Sequence, residues 1–153
     1  YFCIMNSPRY KLLLADDDTD DCIFFKEALG ELSHPACLTT VSDGVELMEY
    51  LSKNHDNLPD VIFLDLNMPR KNGFQCLNEI RNCEHLKQIP IIILSTSFEM
   101  EIVNFLFEKG ARHYMRKPGD FVKLRQLIDK AIRTVCVEDE KSSSKEFFIL
   151  YPV

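Results

Sequence analysis

The feature that most constrains this chain is a set of short strand-like runs, each of which stops at a polar residue. Runs at 11–15, 61–64, 91–94 and 112–116 stop at Asp16, Asp65, Ser95 and Lys117, respectively. The runs at 61–64 and 91–94 are apolar at every position, which is typical of strands covered by helices on both faces. In an open α/β sheet, ligands bind outside the carboxyl ends of the strands. We therefore expect the four polar residues to meet at one edge of a sheet.

Amphipathic segments with helical spacing separate these runs, and 37–41 supplies one further strand. Predicted helix caps are Asp18 or Thr19, Asp43, Asn72 and Asp120, and Gly110 is a predicted helix stop. Strands that alternate with helices indicate parallel pairing through right-handed crossovers. The sequence predicts an α/β fold: five β-α units doubly wound around a five-stranded parallel sheet.

The chain divides into one domain and two flanking segments. Residues 1–9 are interpreted as an N-terminal extension in which Met5 is a candidate natural start, and 10–136 as the domain. Residues 137–153 are interpreted as a polar linker followed by an apolar tail, 147–151. Two hypotheses remain open for the tail: docking on a neighbouring surface such as a dimer mate, or an unfolded end.

Charge and composition exclude several classes of partner. The net charge of −6 argues against a nucleic-acid surface, which needs a basic patch. Lys and Arg form no cluster that would bind a lipid surface, and no apolar run approaches the roughly 20 residues of a membrane span. The six cysteines lack the spacing of a zinc site or a CxxC motif. We interpret them as reduced thiols in a cytoplasmic protein.

The acidic run 16–18 admits two interpretations. Carboxylates gathered at a strand end repel one another unless a cation joins them, and oxygen ligands favour Mg²⁺. The same run can instead cap a helix, with acids near its positive end. We assign Asp18, Asp20 and Asp21 to that capping role.

Asp65 is a more specific signal, because it directly follows four apolar residues. A buried carboxylate needs a partner, and a carboxylate can also act as a nucleophile. Ser95 and Lys117, each taken alone, are consistent with a turn hydroxyl and a surface lysine. Taken together, the three negative charges of Asp16, Asp17 and Asp65 equal the three positive charges of Mg²⁺ and Lys117. Such a set stabilises a phosphoryl group in transfer.

Four segments together resemble a bacterial response-regulator receiver domain of the stand-alone chemotaxis type. They are LLADDD at 13–18, FLDLNMPRKNG at 63–73, PIIILS at 90–95 and YMRKP at 114–118, in the family's order and spacing. The resemblance covers about 10–136. It implies the flavodoxin-like strand order 2-1-3-4-5.

The resemblance also implies a role for each matching residue. Asp65 is the expected phosphoacceptor. Mg²⁺ or Mn²⁺ would be held by Asp16, Asp17, Asp65 and the main-chain carbonyl of Asn67. The expected phosphate-binding and switch residues are Ser95, Lys117 and Tyr114. The expected modulating residues are Thr96, which can narrow access for water, and Pro118, whose peptide bond is often cis in the family.

The function implied is that of a two-component or phosphorelay phosphoacceptor. A sensor histidine kinase would supply the phosphoryl group, and a surface of the fourth helix, fifth strand and fifth helix would contact a downstream protein target. Candidates for that surface are Arg112, Arg116, Tyr114 and Phe105; core packing is the alternative for at least one of Phe105 and Phe107. The chain would be a signalling protein rather than an enzyme, limited to self-catalysed transfer and slow dephosphorylation. A homodimer is also compatible with this role.

Alternatives of other classes are weaker. An intermediate carrier in a phosphorelay, or a degenerate receiver that only binds, would share the same residues. A haloacid-dehalogenase-like phosphatase needs an acid at the position of Asn67. A flavin-binding module needs a Ser-, Thr- or Gly-rich loop where Asp16 and Asp17 stand, and these acids would repel the flavin phosphate.

Overall fold

The computed structural model describes residues 9–138 and 144–152. Of the segment 1–9 interpreted as an extension, 1–8 lie outside these residues, and so do 139–143 of the predicted linker. The elements, in chain order, are β1 Tyr10–Ala15, α1 Thr19–Gly30, β2 Ala36–Val41, α2 Gly44–Lys53, β3 Val61–Asp65, α3 Gly73–Arg81, β4 Ile91–Ser95, α4 Met100–Glu108, β5 His113–Arg116, α5 Phe121–Ile132 and β6 Ile149–Leu150. A π-helical turn, Arg133–Val137, follows α5, and a 3₁₀ turn, Lys145–Phe147, precedes β6.

The strands form one sheet in the order β2-β1-β3-β4-β5-β6, with every neighbouring pair parallel. The predicted α/β class and the order 2-1-3-4-5 are confirmed. The prediction of five strands is one short, because the tail adds β6 beside β5.

Helices cover both faces of the sheet, and successive strand residues pack on opposite faces. Leu13, Ile62 and Ile93 face a core shared with α2, α3 and α4. Their neighbours Leu14 and Phe63 face a second core, shared with α1 and α5. Because both faces are dry, a strand cannot alternate with polar residues, which explains the continuous apolar runs.

Besides α1, whose cap belongs to the site described below, three helices begin at side-chain caps. Asp43 and Asp120 accept backbone N–H groups from the first turns of α2 and α5. Asn72 and Gln75 form a reciprocal capping box at the start of α3. Gly110 has a φ of +94°, a left-handed conformation that suits glycine. It lies two residues after Glu108, the last residue of α4, and stops the helix there. The predicted caps and stop are confirmed at these four positions.

The C-terminal tail packs on the sheet of its own chain. Ile149 and Leu150 pair with Tyr114 and Met115 of β5. Phe148 is 1% exposed, and its ring meets that of Phe107 edge-on at 5.2 Å between centroids. An uncovered β5 would present unpaired N–H and C=O groups, and the tail satisfies part of that edge.

Among the cysteines of the described residues, one differs from expectation. Cys22, Cys76, Cys83 and Cys136 are free thiols, but Cys37 is disulfide-bonded, so the expectation of six reduced thiols is wrong there. Cys37 lies on β2, an outer strand of the sheet, where its side chain is only partly buried. Among the helices of the described residues, none has the length and apolar character that a membrane crossing requires.

Candidate functional site

The carboxyl ends of four strands place the four predicted site residues together. Asp65 and Ser95 are the last residues of β3 and β4, while Asp16 and Lys117 directly follow β1 and β5. Asp16 and Asp65 are 2% and 5% exposed, and Ser95 is equally buried. The site is therefore a cluster of buried polar side chains at the carboxyl edge of the sheet.

The predicted cation ligands lie close enough to share one ion. Asp16, Asp17 and Asp65 each offer a carboxylate oxygen within 4.8 Å of the others, and Asp17 is exposed to solvent. Backbone N–H groups of Asp18 and Asn67 donate to Asp16 Oδ1 and Asp65 Oδ1 at 2.9 and 3.3 Å. Carboxylate oxygens with one open, water-facing side are the donor set that Mg²⁺ takes in proteins. The role of the Asn67 carbonyl stays a prediction.

Lys117 contacts three carboxylates. Its Nζ lies 2.9 Å from Asp16 Oδ2, 2.9 Å from Asp21 Oδ2 and 3.5 Å from Asp65 Oδ2. The predicted role at the start of α1 is confirmed, because Asp18 accepts the N–H groups of Asp20 and Asp21, and both acids lie in the first turn. The contact of Asp21 with Lys117 is an additional role that the sequence did not predict. One sequence signal could have revealed this contact: side chains in a first helical turn point back towards the N-terminus, and here towards the strand ends.

Burial and mutual repulsion shift the ionisation of the site. Burial raises the pKa of Asp65 to about 6, with Asp16 adding repulsion and Lys117 opposing both. Burial likewise raises the pKa of Asp16, against hydrogen bonds from the Asp18 backbone and Lys117. Burial works against the charge of Lys117, but its hydrogen bonds with Asp21 and Asp16 outweigh this, and its pKa is raised. Buried, perturbed carboxylates of this kind mark functional sites.

The loop after Asp65 is held by contacts that sequence reasoning missed. Arg70 has a φ of +64°, rare for a residue with a side chain, and its Nε and Nη2 both lie 2.8 Å from Asp43 Oδ2. The Arg70 hydrogen bond lowers the pKa of Asp43. A Cβ on Gly73 would sit 2.4 Å from the Asp65 carbonyl oxygen. Only glycine fits there, so α3 begins directly against the backbone of Asp65.

A chain of contacts joins Ser95 to Tyr114. The Ser97 N–H donates to Ser95 Oγ at 3.2 Å, and the Tyr114 hydroxyl donates to the Ser97 carbonyl. The Lys117 N–H donates to the Ser95 carbonyl at 2.8 Å, which ties the two strand ends together. The predicted switch residues therefore share one hydrogen-bonded loop.

The predicted modulating residues flank that loop. Thr96 is exposed directly after Ser95, and its effect on water access stays a prediction. Pro118 is half-buried beside Lys117. The described residues contain no cis peptide bond, so the cis Lys117–Pro118 bond that is frequent in the family is not found here.

The predicted output surface needs a correction at Tyr114. Its side chain is fully buried, because Phe98 packs on it at 6.3 Å between centroids and the tail covers its strand. Phe105 and Arg116 remain exposed. The core-packing alternative is confirmed for Phe107, which packs against Phe148.

Comparison with known proteins assigns the family. The model of the response regulator receiver domain matches residues 12–129. Response regulator Rcp1 of Synechocystis is 29% identical over 127 residues, which cover 80% of this chain and 86% of that protein. The probable methanogenesis regulatory protein FilR2 of Methanothrix harundinacea is 25% identical over 122 residues, covering 78% and 79%.

Solved structures agree in fold. The phosphorylated cyanobacterial phytochrome response regulator RcpA is 33% identical, with a TM-score of 0.76 over 90% of this chain and 100% of that one. The Mn²⁺-bound form of Rcp1 is 28% identical, with a TM-score of 0.74 over the same shares. Together with the grouped strand-end residues, these matches establish that the chain belongs to the response regulator receiver domains of two-component signalling.

Proposed function

We propose that the chain is a phosphoacceptor that receives a phosphoryl group on Asp65. The observation that carries this proposal is the position of Lys117 Nζ, 3.5 Å from Asp65 Oδ2 at the centre of three carboxylates. An ammonium held there lies where negative charge would develop during phosphoryl transfer. Preorganised positive charge at that point is most of what such a reaction requires.

A divalent cation, Mg²⁺ or Mn²⁺, fits the donor set of Asp16, Asp17 and Asp65, with the Asn67 carbonyl as a further ligand. The Mn²⁺-bound form of the similar protein Rcp1 supports this choice. When bound, the cation would neutralise the carboxylates and orient the phosphoryl oxygens. Its charge would oppose the burial and the repulsion from Asp16 that together raise the pKa of Asp65.

The chain's own residues would then act as follows. A carboxylate oxygen of Asp65 attacks the phosphorus of a phosphohistidine, the P–O bond forms, and the P–N bond breaks. The imidazole leaves with the bonding electron pair and takes a proton from water. Lys117 Nζ and Ser95 Oγ would donate hydrogen bonds to phosphoryl oxygens, and Thr96 would narrow the path for hydrolytic water.

The proposed donor is a sensor histidine kinase, and one face beside the site is suited to receive it. Ile23 and Phe24 are exposed on α1, next to Asp21. Phe24, Asp21, Lys117 and Pro118 line one small cavity. An apolar patch that borders a reactive carboxylate can bury a helical partner while its histidine reaches Asp65.

We further propose that the chain signals rather than catalyses turnover of a separate substrate, and that it does so in the cytoplasm. Transfer of the phosphoryl group would be self-catalysed, followed by slow loss to water. Recruitment of Ser95 Oγ to the phosphate would disturb the Ser97 link to Tyr114. That disturbance would alter the surface offered to a downstream protein target or to a second copy.

The test is intact mass after incubation with acetyl phosphate, with and without Mg²⁺. We expect wild type to gain one phosphoryl group, about 80 Da, only when Mg²⁺ is present, and Asp65→Asn to gain none. Asp56→Asn, a change of equal size at an exposed loop carboxylate, serves as the matched control and should label like wild type. Equal labelling of Asp65→Asn and wild type would contradict the assignment, and no labelling of wild type would indicate a module that only binds.

A further inference from the structure

Lys117 is held by two kinds of carboxylate. Asp16 and Asp65 belong to the group that can share a cation, whereas Asp21 does not belong to it. Asp21 nevertheless contacts Lys117 Nζ at 2.9 Å, as closely as Asp16 does. It is therefore the one partner of Lys117, among the described residues, that cation binding would leave in place.

Building on the proposed function, we propose that Asp21 is a positioning residue that keeps the Lys117 ammonium beside Asp65 when a cation occupies Asp16. An ammonium has three N–H donors. In the structure Lys117 Nζ lies 2.9 Å from a carboxylate oxygen of Asp16 and 2.9 Å from one of Asp21. Its distance to Asp65 Oδ2 is longer, 3.5 Å. When a cation draws the Asp16 oxygen away, the Asp21 contact remains and the freed donor faces the phosphoryl group.

Asp21 is well placed for this task because its backbone is held in the cap of α1. Its backbone N–H donates to Asp18 Oδ1 at 3.1 Å in the cap of α1. Its side chain is 38% exposed, whereas that of Lys117 is only 16% exposed. A long lysine side chain without this anchor would be free to leave for water, since its four-carbon stem is flexible.

The negative charge of Asp21 also has an opposing effect, because it repels an incoming phosphoryl group. Removal of any nearby carboxylate should strengthen anion binding through this general effect. Asp20, next to Asp21 in the same first turn, carries the same charge but is exposed. Asp20→Asn therefore measures repulsion alone, and Asp21→Asn measures repulsion together with loss of the anchor.

The probe is beryllofluoride, a phosphoryl mimic, titrated by calorimetry in the presence of Mg²⁺. We expect Asp20→Asn to bind it as well as wild type or slightly better. We expect Asp21→Asn to bind about tenfold more weakly, as for loss of one charge-assisted hydrogen bond. Asp21→Glu keeps the charge and should recover part of that loss, which a purely structural role of the position would not explain.

A second measurement does not depend on phosphoryl chemistry. The Lys117 ammonium is followed by ¹⁵N NMR of lysine-labelled protein while Mg²⁺ alone is added. Its signal should persist in wild type and Asp20→Asn, and should broaden beyond detection in Asp21→Asn because the freed ammonium exchanges with water. Urea unfolding of each variant verifies that all are folded.

The outcomes separate this inference from the proposed function. If wild type fails to bind beryllofluoride, both are overturned. If wild type binds it and Asp21→Asn binds as tightly as Asp20→Asn, with its lysine signal retained, only the positioning role of Asp21 is overturned.

Discussion

The backbone N–H of Tyr114 donates to the carbonyl oxygen of Phe148 across 3.0 Å. The strand that carries Tyr114, the predicted aromatic switch residue, is therefore bonded to the C-terminal tail. The tail in turn packs Phe148 against Phe107 of α4. Any movement of Tyr114 must be accommodated by the tail. A conformational change that moves Tyr114 on phosphorylation would therefore also have to move the tail.

The tail should contribute measurably to folding stability through Phe148. Its side chain is 1% exposed, whereas that of the neighbouring Phe147 is 66% exposed. We expect Phe148→Ala to lower the free energy of unfolding by about 3 kcal/mol, through lost burial and a residual cavity. Phe147→Ala, the matched control, should change it by less than about 0.5 kcal/mol. Urea unfolding measures both, and equal effects would show that the tail does not pack in solution.

The hydroxyl of Tyr114 should stabilise the loop that follows Ser95. Tyr114→Phe leaves the ring in the core but removes the donor to the Ser97 carbonyl. We expect a loss of about 1–2 kcal/mol in stability, and faster amide hydrogen exchange at Ser97. Tyr151→Phe changes an exposed hydroxyl and is the control. Unchanged exchange at Ser97 in Tyr114→Phe would contradict this link between switch and loop.

The raised pKa of Asp65 predicts how stability depends on pH in the metal-free protein. Its pKa is about 6 in the folded chain against an ordinary 3.8, so the folded state binds more protons between those values. Stability should therefore fall as pH rises from about 4 to 7, by about 3 kcal/mol at 1.36 kcal/mol per unit. Asp65→Asn lacks this contribution and should become the more stable protein at pH 7.

Chemical unfolding of both proteins across this pH range measures the difference, which includes the change that loss of the Asp65 charge makes to the titration of Asp16. Saturating Mg²⁺ at pH 7 should recover stability in wild type more than in Asp65→Asn. A constant difference between the two proteins from pH 4 to 7 would contradict burial as the cause of the shift.

Gly73 should be essential for the backbone position of Asp65. A Cβ there would lie 2.4 Å from the Asp65 carbonyl oxygen, so Gly73→Ala must displace either α3 or the end of β3. We expect a loss of about 1–3 kcal/mol in stability, together with slower phosphorylation by acetyl phosphate. At Gly30, the last residue of α1, a Cβ would meet no neighbouring group within 4 Å. Gly30→Ala is the matched control, and its phosphorylation rate should equal that of wild type.

Much of the fold was predictable because local signals and tertiary packing agree. Strands buried on both faces must be apolar throughout, so β3 and β4 can be recognised in the sequence as continuous apolar runs. Asp43, Asn72 and Asp120 cap helices through contacts within three residues, which a sequence displays directly. Placement of Asp16, Asp65, Ser95 and Lys117 together followed from parallel topology alone.

The features that sequence reasoning missed depend on distant contacts. Arg70 and Asp43 are 27 residues apart, and no periodicity predicts their pairing. Lys117 and Asp21 are 96 residues apart, and a local capping role explained Asp21 well enough to conceal its partner. The strand β6 has only two residues, too few to show a period of two, and its location depends on the edge left open by β5.

The direction in which the tail leaves the sheet offers a route to an optical reporter. Because β6 runs parallel to β5, Tyr151 and Pro152 emerge at the same end of the sheet as Lys117 and line a cavity of about 490 Å³ with Arg116 and Lys117. The side chain of Tyr151 is exposed, so a dye coupled to a cysteine placed there would not disturb the core. Its emission would report on electric field and solvation beside Lys117, as charge at Asp65 changes.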